Sequence, residues 1–146
     1  MQIIIMETKF NFKSQMCTTV AQSERLLALG LKKDTADMSS VRNLVETTSN
    51  RTREVIFTFT PDNWEANPDA IPRWSLHRLI EMMPFDIIPE GGFDNCFTLI
   101  KNYPQGYSIE YDGFSYYHKE NIYDTLIDAI EHLIKEGYFN KEYLEE

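Results

Sequence analysis

Residues 22–38 read QSERLLALGLKKDTADM, and the order of residue types sets the architecture: an apolar helical stripe, a glycine stop and a short acidic turn. From about Thr19, the side chains of Val20, Leu26, Leu27 and Leu29 fall on one side of a helix, while Gln22, Glu24 and Arg25 are polar. Thr18 or Thr19 supplies the N-cap, Gly30 the left-handed residue that ends the helix, and Leu31 the apolar contact that accompanies such an end. Asp34-Thr35-Ala36-Asp37 follows at once as a turn.

Downstream the pattern changes. Met38 to Thr52 is rich in Ser, Thr, Asn and Arg, with only Val41, Leu44 and Val45 apolar, which predicts a loop with at most a turn of helix. Val55, Phe57 and Phe59 alternate with Glu54, Thr58 and Thr60, the period of a strand. Pro61, Pro68 and Pro72 then predict an extended loop without regular structure, carrying Trp64 and Trp74. Ser75 caps a short helix whose Leu76, Leu79, Ile80 and Met83 share a face and which Pro84 stops. Phe85 to Asp94, with Gly91-Gly92 at its centre, is irregular.

Three strands are expected at Cys96–Asn102, Tyr107–Asp112 and Phe114–His118. Tyr103-Pro104-Gln105-Gly106 suits a type I turn with a left-handed Gly106, and Asp112-Gly113 a two-residue type I′ hairpin. Those turns align Phe97, Leu99 and Tyr103 with Tyr107, Ile109, Tyr111 and with Phe114, Tyr116 on one face, whereas a two-residue first turn would flip the first strand and put Ile100 inward. The last helix runs from a cap at Asn121 to Lys135 or Glu136, with Gly137 at its end. Its Tyr123, Leu126, Ile127, Ile130, Leu133 and Ile134 form the stripe that packs on the sheet, and Asp128, Glu131, His132 and Lys135 are solvated. A final turn is expected within Asn140–Leu144.

The sum is an α+β fold: a small, mainly antiparallel sheet with a Tyr-rich meander, covered by a long C-terminal helix, plus an N-terminal helix and a short middle helix. Residues 1–18 form an N-terminal arm or short strand, and 19–146 a single domain, since 146 residues suffice for one core.

Composition narrows the function classes. The net charge of −9 divides unevenly: residues 1–60 carry eight Lys/Arg and six Asp/Glu, a balance of +2, whereas residues 61–146 carry six and seventeen, a balance of −11. Direct nucleic-acid binding needs a basic face, which only a gathering of Lys32, Lys33, Arg42, Arg51 and Arg53 would supply. Two cysteines, Cys17 and Cys96, predict a reduced cytoplasmic protein with idle thiols. Ile3-Ile4-Ile5 lacks the basic flank and length of a signal segment, and no run approaches a membrane span.

Each candidate for chemistry has a plainer structural reading. Cys96 with His118 is the one nucleophile and base pair worth testing, yet strand geometry separates them. His77, His118 and His132 are too scattered for a metal site. The row Asp124, Asp128 and Glu131 is the wet face of a helix before it is a cation site, and Gly91-Gly92 lacks the spacing of a phosphate loop. No catalytic residue, cofactor or metal is therefore expected. The candidate partner-binding residues are Trp64 and Trp74, which either stand exposed as aromatic anchors or pin the long loop to its domain, and Glu110, Asp112, Asp128 and Glu131, drawn from an acidic set that also holds Glu81, Asp86, Glu90, Asp94 and Asp124.

QSERLLALGLKKDTADM, IPRWSLHRLIEMMP at 71–84 and DTLIDAIEHLIKEGY at 124–138, with the Tyr-rich region between the last two, resemble a group of small uncharacterised proteins carried on prophages and mobile elements of Bacteroides-type gut bacteria. The resemblance spans most of residues 20–138 and is made of structural signatures, so it implies a setting and transfers no activity to any residue. The leading expectation is a non-enzymatic cytoplasmic accessory protein acting through a protein partner. An acidic inhibitor or nucleic-acid mimic directed at a basic nucleic-acid-processing protein is the alternative, and a small-ligand-binding or hydrolytic domain with a site assembled from scattered residues is the third.

Overall fold

The computed structural model describes residues 14–44, 52–87, 95–102, 105–111 and 116–146. Helix α1 spans Val20–Ala28 and opens with a reciprocal capping box: the Thr19 hydroxyl accepts from the Gln22 backbone N–H at 3.1 Å, and the Gln22 side chain accepts from the Thr19 N–H at 2.9 Å. Gly30 follows at φ +100°, as the sequence requires, and Leu31 beyond it is buried. The acidic turn winds into a single 3₁₀ turn at Lys33–Thr35.

Met38–Leu44 is not a loop but a strand, β1, and a central one: β2 (Thr52–Phe57) pairs along one edge and β3 (Ile71–Arg73) along the other, all antiparallel. Its polar sequence survives burial because each hydroxyl is matched. Ser39 Oγ donates to the Phe59 carbonyl at 2.6 Å, and Ser40 Oγ accepts from Arg73 Nε at 2.9 Å. The proline-rich segment likewise contains regular structure. Pro72 is tolerated inside β3 because that strand is an edge, where a missing N–H breaks no ladder. Arg73, buried beside Ser40, also donates to the Thr18 carbonyl and pairs with Glu54.

Helix α2 (Leu76–Met82) starts at Ser75, whose hydroxyl accepts from the Arg78 N–H at 3.1 Å, and ends at Met83 before Pro84. Asp37, the last residue of the acidic turn, accepts from the Ser75 N–H at 2.8 Å and from its hydroxyl, so the two quoted sequence signatures are joined to one another. Short β4 (Asp86–Ile87) begins a second sheet of order β4-β5-β6-β7, with β5 at Asn95–Lys101, β6 at Tyr107–Tyr111 and β7 at Tyr116–Lys119. Gly91-Gly92 lies outside the described residues.

β5 pairs with β6 so that Phe97 stands opposite Tyr111 and Leu99 opposite Ile109, which leaves Phe97, Leu99, Ile109 and Tyr111 on one face as expected; Tyr103 and Pro104 lie outside the described residues. The register of β7 is one residue off. Ile109 faces Tyr117 rather than Tyr116, so the connection is longer than a two-residue hairpin allows, and one residue of slip exchanges the faces. Tyr117 consequently joins the core; Asp112 to Ser115 lie outside the described residues.

Gly106 has φ +148°, and a Cβ there would stand 2.7 Å from His118 Cε1 and 3.0 Å from the Lys119 carbonyl oxygen. Gly106→Ala is therefore expected to destabilise the fold by about 1–3 kcal/mol through strain and crowding, measured as a fall in the denaturant midpoint at constant m-value.

Helix α3 (Ile122–Lys135) is capped by Asn121, which accepts from the N–H groups of Tyr123 and Asp124. It lies on β6 and β7 with one side and meets α1 and α2 with the other. Tyr123, Leu126, Ile127, Ala129, Ile130 and Leu133 are all buried, and with Leu26, Trp74, Leu79, Ile109 and Tyr111 they form the core. Residues 14–18 run as an ordered arm, and residues 1–13, the rest of the segment expected to be an arm or short strand, lie outside the described residues. Thr18 is buried and exchanges hydrogen bonds with Trp74, while Gln15 reaches Gln22 and Asn121. The chain closes with a 3₁₀ turn at Lys141–Tyr143, after which Leu144 bridges to Leu31 and the Glu145 N–H donates to the Gly30 carbonyl at 2.7 Å.

Candidate functional site

Leu31 and Glu145, brought together by that closing bridge, line a cleft of about 800 Å³. The end of α1 and the residue beyond its glycine stop supply Leu27 and Leu31, and the 3₁₀ turn supplies Lys33 and Asp34. The segment before β3 supplies Asp62, Asn63, Trp64, Glu65 and Pro68, and the C-terminal segment Glu145. The Trp64 segment is held by its own hydrogen bonds. The Asn63 side chain accepts from the Glu65 N–H at 2.9 Å, Asn67 Nδ2 donates to the Asn63 carbonyl at 2.8 Å, and the Asn67 N–H donates to the Trp64 carbonyl at 3.1 Å. Trp64 is half-buried: it packs against the core and also lines the cleft.

Four carboxylates (Asp34, Asp62, Glu65 and Glu145) and one ammonium (Lys33) line the cleft, a local balance of −3. None of the five takes part in an ion pair among the described residues. Carboxylates that form no ion pair among the described residues, beside an aromatic wall and an apolar floor, favour a cationic group that also carries carbon.

The residues singled out from sequence do not converge on one surface. Trp64 belongs to the cleft. Trp74 does not, and is corrected from exposed anchor to core: it is fully buried, its indole N–H donating to Thr35 Oγ1 at 2.9 Å. Glu110 lies on β6 opposite Thr98 and Tyr116, on the face turned away from Ile109, Tyr111 and α3. Asp112 falls outside the described residues.

Asp128 and Glu131, expected to be solvated, instead clamp α1 to α3. Arg25 Nη2 donates to Asp128 at 2.6 Å and to Glu131 at 2.7 Å. Gln22 donates to Asp124 at 2.7 Å, and Lys119 and Lys135 stand 3.6 and 3.4 Å from Asp128 and Glu131. Asp128 and Glu131 are thus paired with cations within the molecule, and Asp124 with Gln22.

Hydrogen bonds from Arg25 and Lys135 hold the Glu131 carboxyl below its ordinary pKa. A depressed carboxylate pKa contributes stability above the unfolded value and loses it as pH falls through the folded one. Glu131→Ala is expected to cost under about 1 kcal/mol at neutral pH, as a partly exposed pair does, and the gap to wild type should close below about pH 4. Urea melts of both proteins across that range check it.

Among the described residues no group of three His, Cys, Asp or Glu is placed to hold a metal ion. Cys96 is exposed on β5 and His118 lies on β7. With β6 between them, the usual rise and strand spacing put them about 16 Å apart. Cys17 is buried, and burial pushes its thiol up in pKa against the pull of Arg73, leaving it protonated and inert. No helix of the described residues is long and apolar enough to cross a membrane.

The sequence reading passed over Asp34, Asp62, Glu65 and Glu145. The signal for two of them was present: Asp62 and Glu65 flank Trp64 within a run of seven residues that also holds Asn63 and Asn67, a charged and aromatic turn cluster. Glu145 reaches the cleft only through the Leu31–Leu144 bridge, which no local pattern announces. Set against models of protein families, curated proteins and solved structures, the chain matches none of them.

Proposed function

We propose that this chain works by binding a protein partner at the Trp64 cleft, as a cytoplasmic accessory protein of phage or mobile-element origin. The observation that carries the reading is the half-buried Trp64 itself, braced by its segment and forming one wall of a cleft of about 800 Å³. A large rigid aromatic supplies contact area at little entropic cost, which is why tryptophan dominates binding hot spots. The inhibitor or nucleic-acid-mimic alternative loses weight because Asp124, Asp128 and Glu131 are already engaged by Gln22, Arg25 and neighbouring lysines.

The test is capture from bacterial lysate on tagged wild type and on tagged Trp64→Ala, after the melting temperatures of both have been compared. A protein retained by wild type and lost from a folded Trp64→Ala supports the reading. Identical retention by the two proteins overturns it, and so does nucleic acid as the material retained.

A further inference from the structure

We infer that the Trp64 cleft receives a lysine or arginine side chain projecting from a basic segment of the partner protein. This rests on the reading of the cleft as the partner surface and specifies its occupant. Three features of one concavity fit different parts of the same side chain. Leu27 near the end of α1, backed by the buried Leu31, offers an apolar floor, where an aliphatic stem of three or four carbons is sheltered from water. Trp64 lines the same cleft, and an indole is the aromatic that attracts the cation at the end of that stem most strongly. The carboxylates of Asp34, Asp62, Glu65 and Glu145 stand against the single ammonium of Lys33, and complementary charge sets which partner docks and how fast it arrives. An acidic or wholly apolar segment satisfies one of these features at most.

A protein segment is favoured over a free small cation because the site is an open groove between the segment around Glu145, a helix end and a surface segment. Affinity for one small cation in such a place is limited by its few contacts, whereas a segment adds neighbouring ones.

The experiment uses the whole chain and a fluorescently labelled seven-residue peptide alternating glycine and arginine. The same peptide with glutamate in place of arginine, and free arginine amide, serve as competitors. Binding is followed by anisotropy at low and at physiological salt. The expected result is saturable binding of the arginine peptide, weakened about tenfold by Trp64→Ala and by the pair Asp62→Asn, Glu65→Gln. Glu120→Gln, at an exposed position outside the cleft, should change it by less than about twofold. Trp64→Phe retains a ring and should fall between wild type and Trp64→Ala, which keeps the test readable if alanine at 64 disturbs the segment.

Equal binding by wild type and Trp64→Ala overturns the inference, because attraction then comes from the overall charge of −9. Arginine amide competing as well as the unlabelled peptide overturns the protein-segment occupant in favour of a small-cation site. If lysate capture depends on Trp64 while the arginine peptide fails to bind, the occupant is wrong and the partner-binding cleft stands. If the peptide depends on Trp64 while lysate capture does not, the cleft's preference for cations stands and its role as partner surface fails.

Discussion

Trp74→Ala is expected to lower stability by about 3–5 kcal/mol, the usual cost of deleting a large buried aromatic, and for a chain of this length to lower the melting temperature by about 3 °C for each kcal/mol. Trp74 has no exposed surface, and more than its ring is at stake. Its backbone N–H donates to Thr18 Oγ1 at 3.1 Å, its carbonyl accepts from the Thr18 N–H at 2.9 Å, and its indole reaches Thr35. The residue therefore joins the arm before α1, the acidic turn after it, and the junction of β3 with α2. Removing the ring leaves the backbone bonds but opens a cavity where three segments meet. Trp74→Phe should cost less, since it keeps most of the volume and loses mainly the Thr35 bond, worth about 1 kcal/mol. Calorimetry on the two variants separates packing from hydrogen bonding. An alanine variant melting with wild type would contradict the placement of Trp74 in the core.

The two tryptophans show what local sequence conveys and where it stops. Both lie in a proline-rich stretch, and nothing within a few residues of either distinguishes wall from core. The difference is made at a distance: Trp74 meets Thr18 and Thr35, 56 and 39 residues away, while Trp64 meets the end of α1 across a cleft. The helices were legible because their causes are local. Thr19, Ser75 and Asn121 cap within three residues, and Pro84 and the glycines stop what they follow. Strand β1 was illegible for the opposite reason. Ser39 and Ser40 look like loop residues until Phe59 and Arg73 arrive to bond them, and Arg73 comes from an edge strand whose Pro72 argued against any strand. The one-residue error in β7 has a similar origin. Its register depends on the length of one connection, and the Asp112-Gly113 pair suggested a shorter turn than the pairing of Ile109 with Tyr117 permits. The candidate site was half legible: a tryptophan among turn-forming and acidic residues marked a place, but the opposing walls come from elements 30 residues before it and 80 after it.

Ile130→Asp should unfold the domain. Ile130 is fully buried at the middle of α3, in the helix that touches β6, β7, α1 and α2, so a carboxylate there has no water and no ready partner. Desolvating it ionised costs far more than the fold can supply, and even protonated it leaves an unsatisfied polar group where a methyl-rich side chain was packed. Several kcal/mol against a total stability of about 5–15 kcal/mol is enough to abolish the near-UV circular dichroism signal of packed tyrosines and tryptophans. Ile130→Val removes one methyl group at the same point and should cost only about 0.5–1.5 kcal/mol, so size and charge are separated at one site. The neighbouring Glu131 provides the contrast. One residue on, the helix has turned by about 100°, and the side chain lies at the α1 interface within reach of Arg25 and Lys135, where its loss is nearly tolerated. Retention of the wild-type melting temperature by Ile130→Asp would mean that α3 presents a different face to the sheet. The stripe Tyr123, Leu126, Ile127, Ile130 and Leu133 would then need another partner, and both the core and the Arg25 clamp that closes it would have to be redrawn.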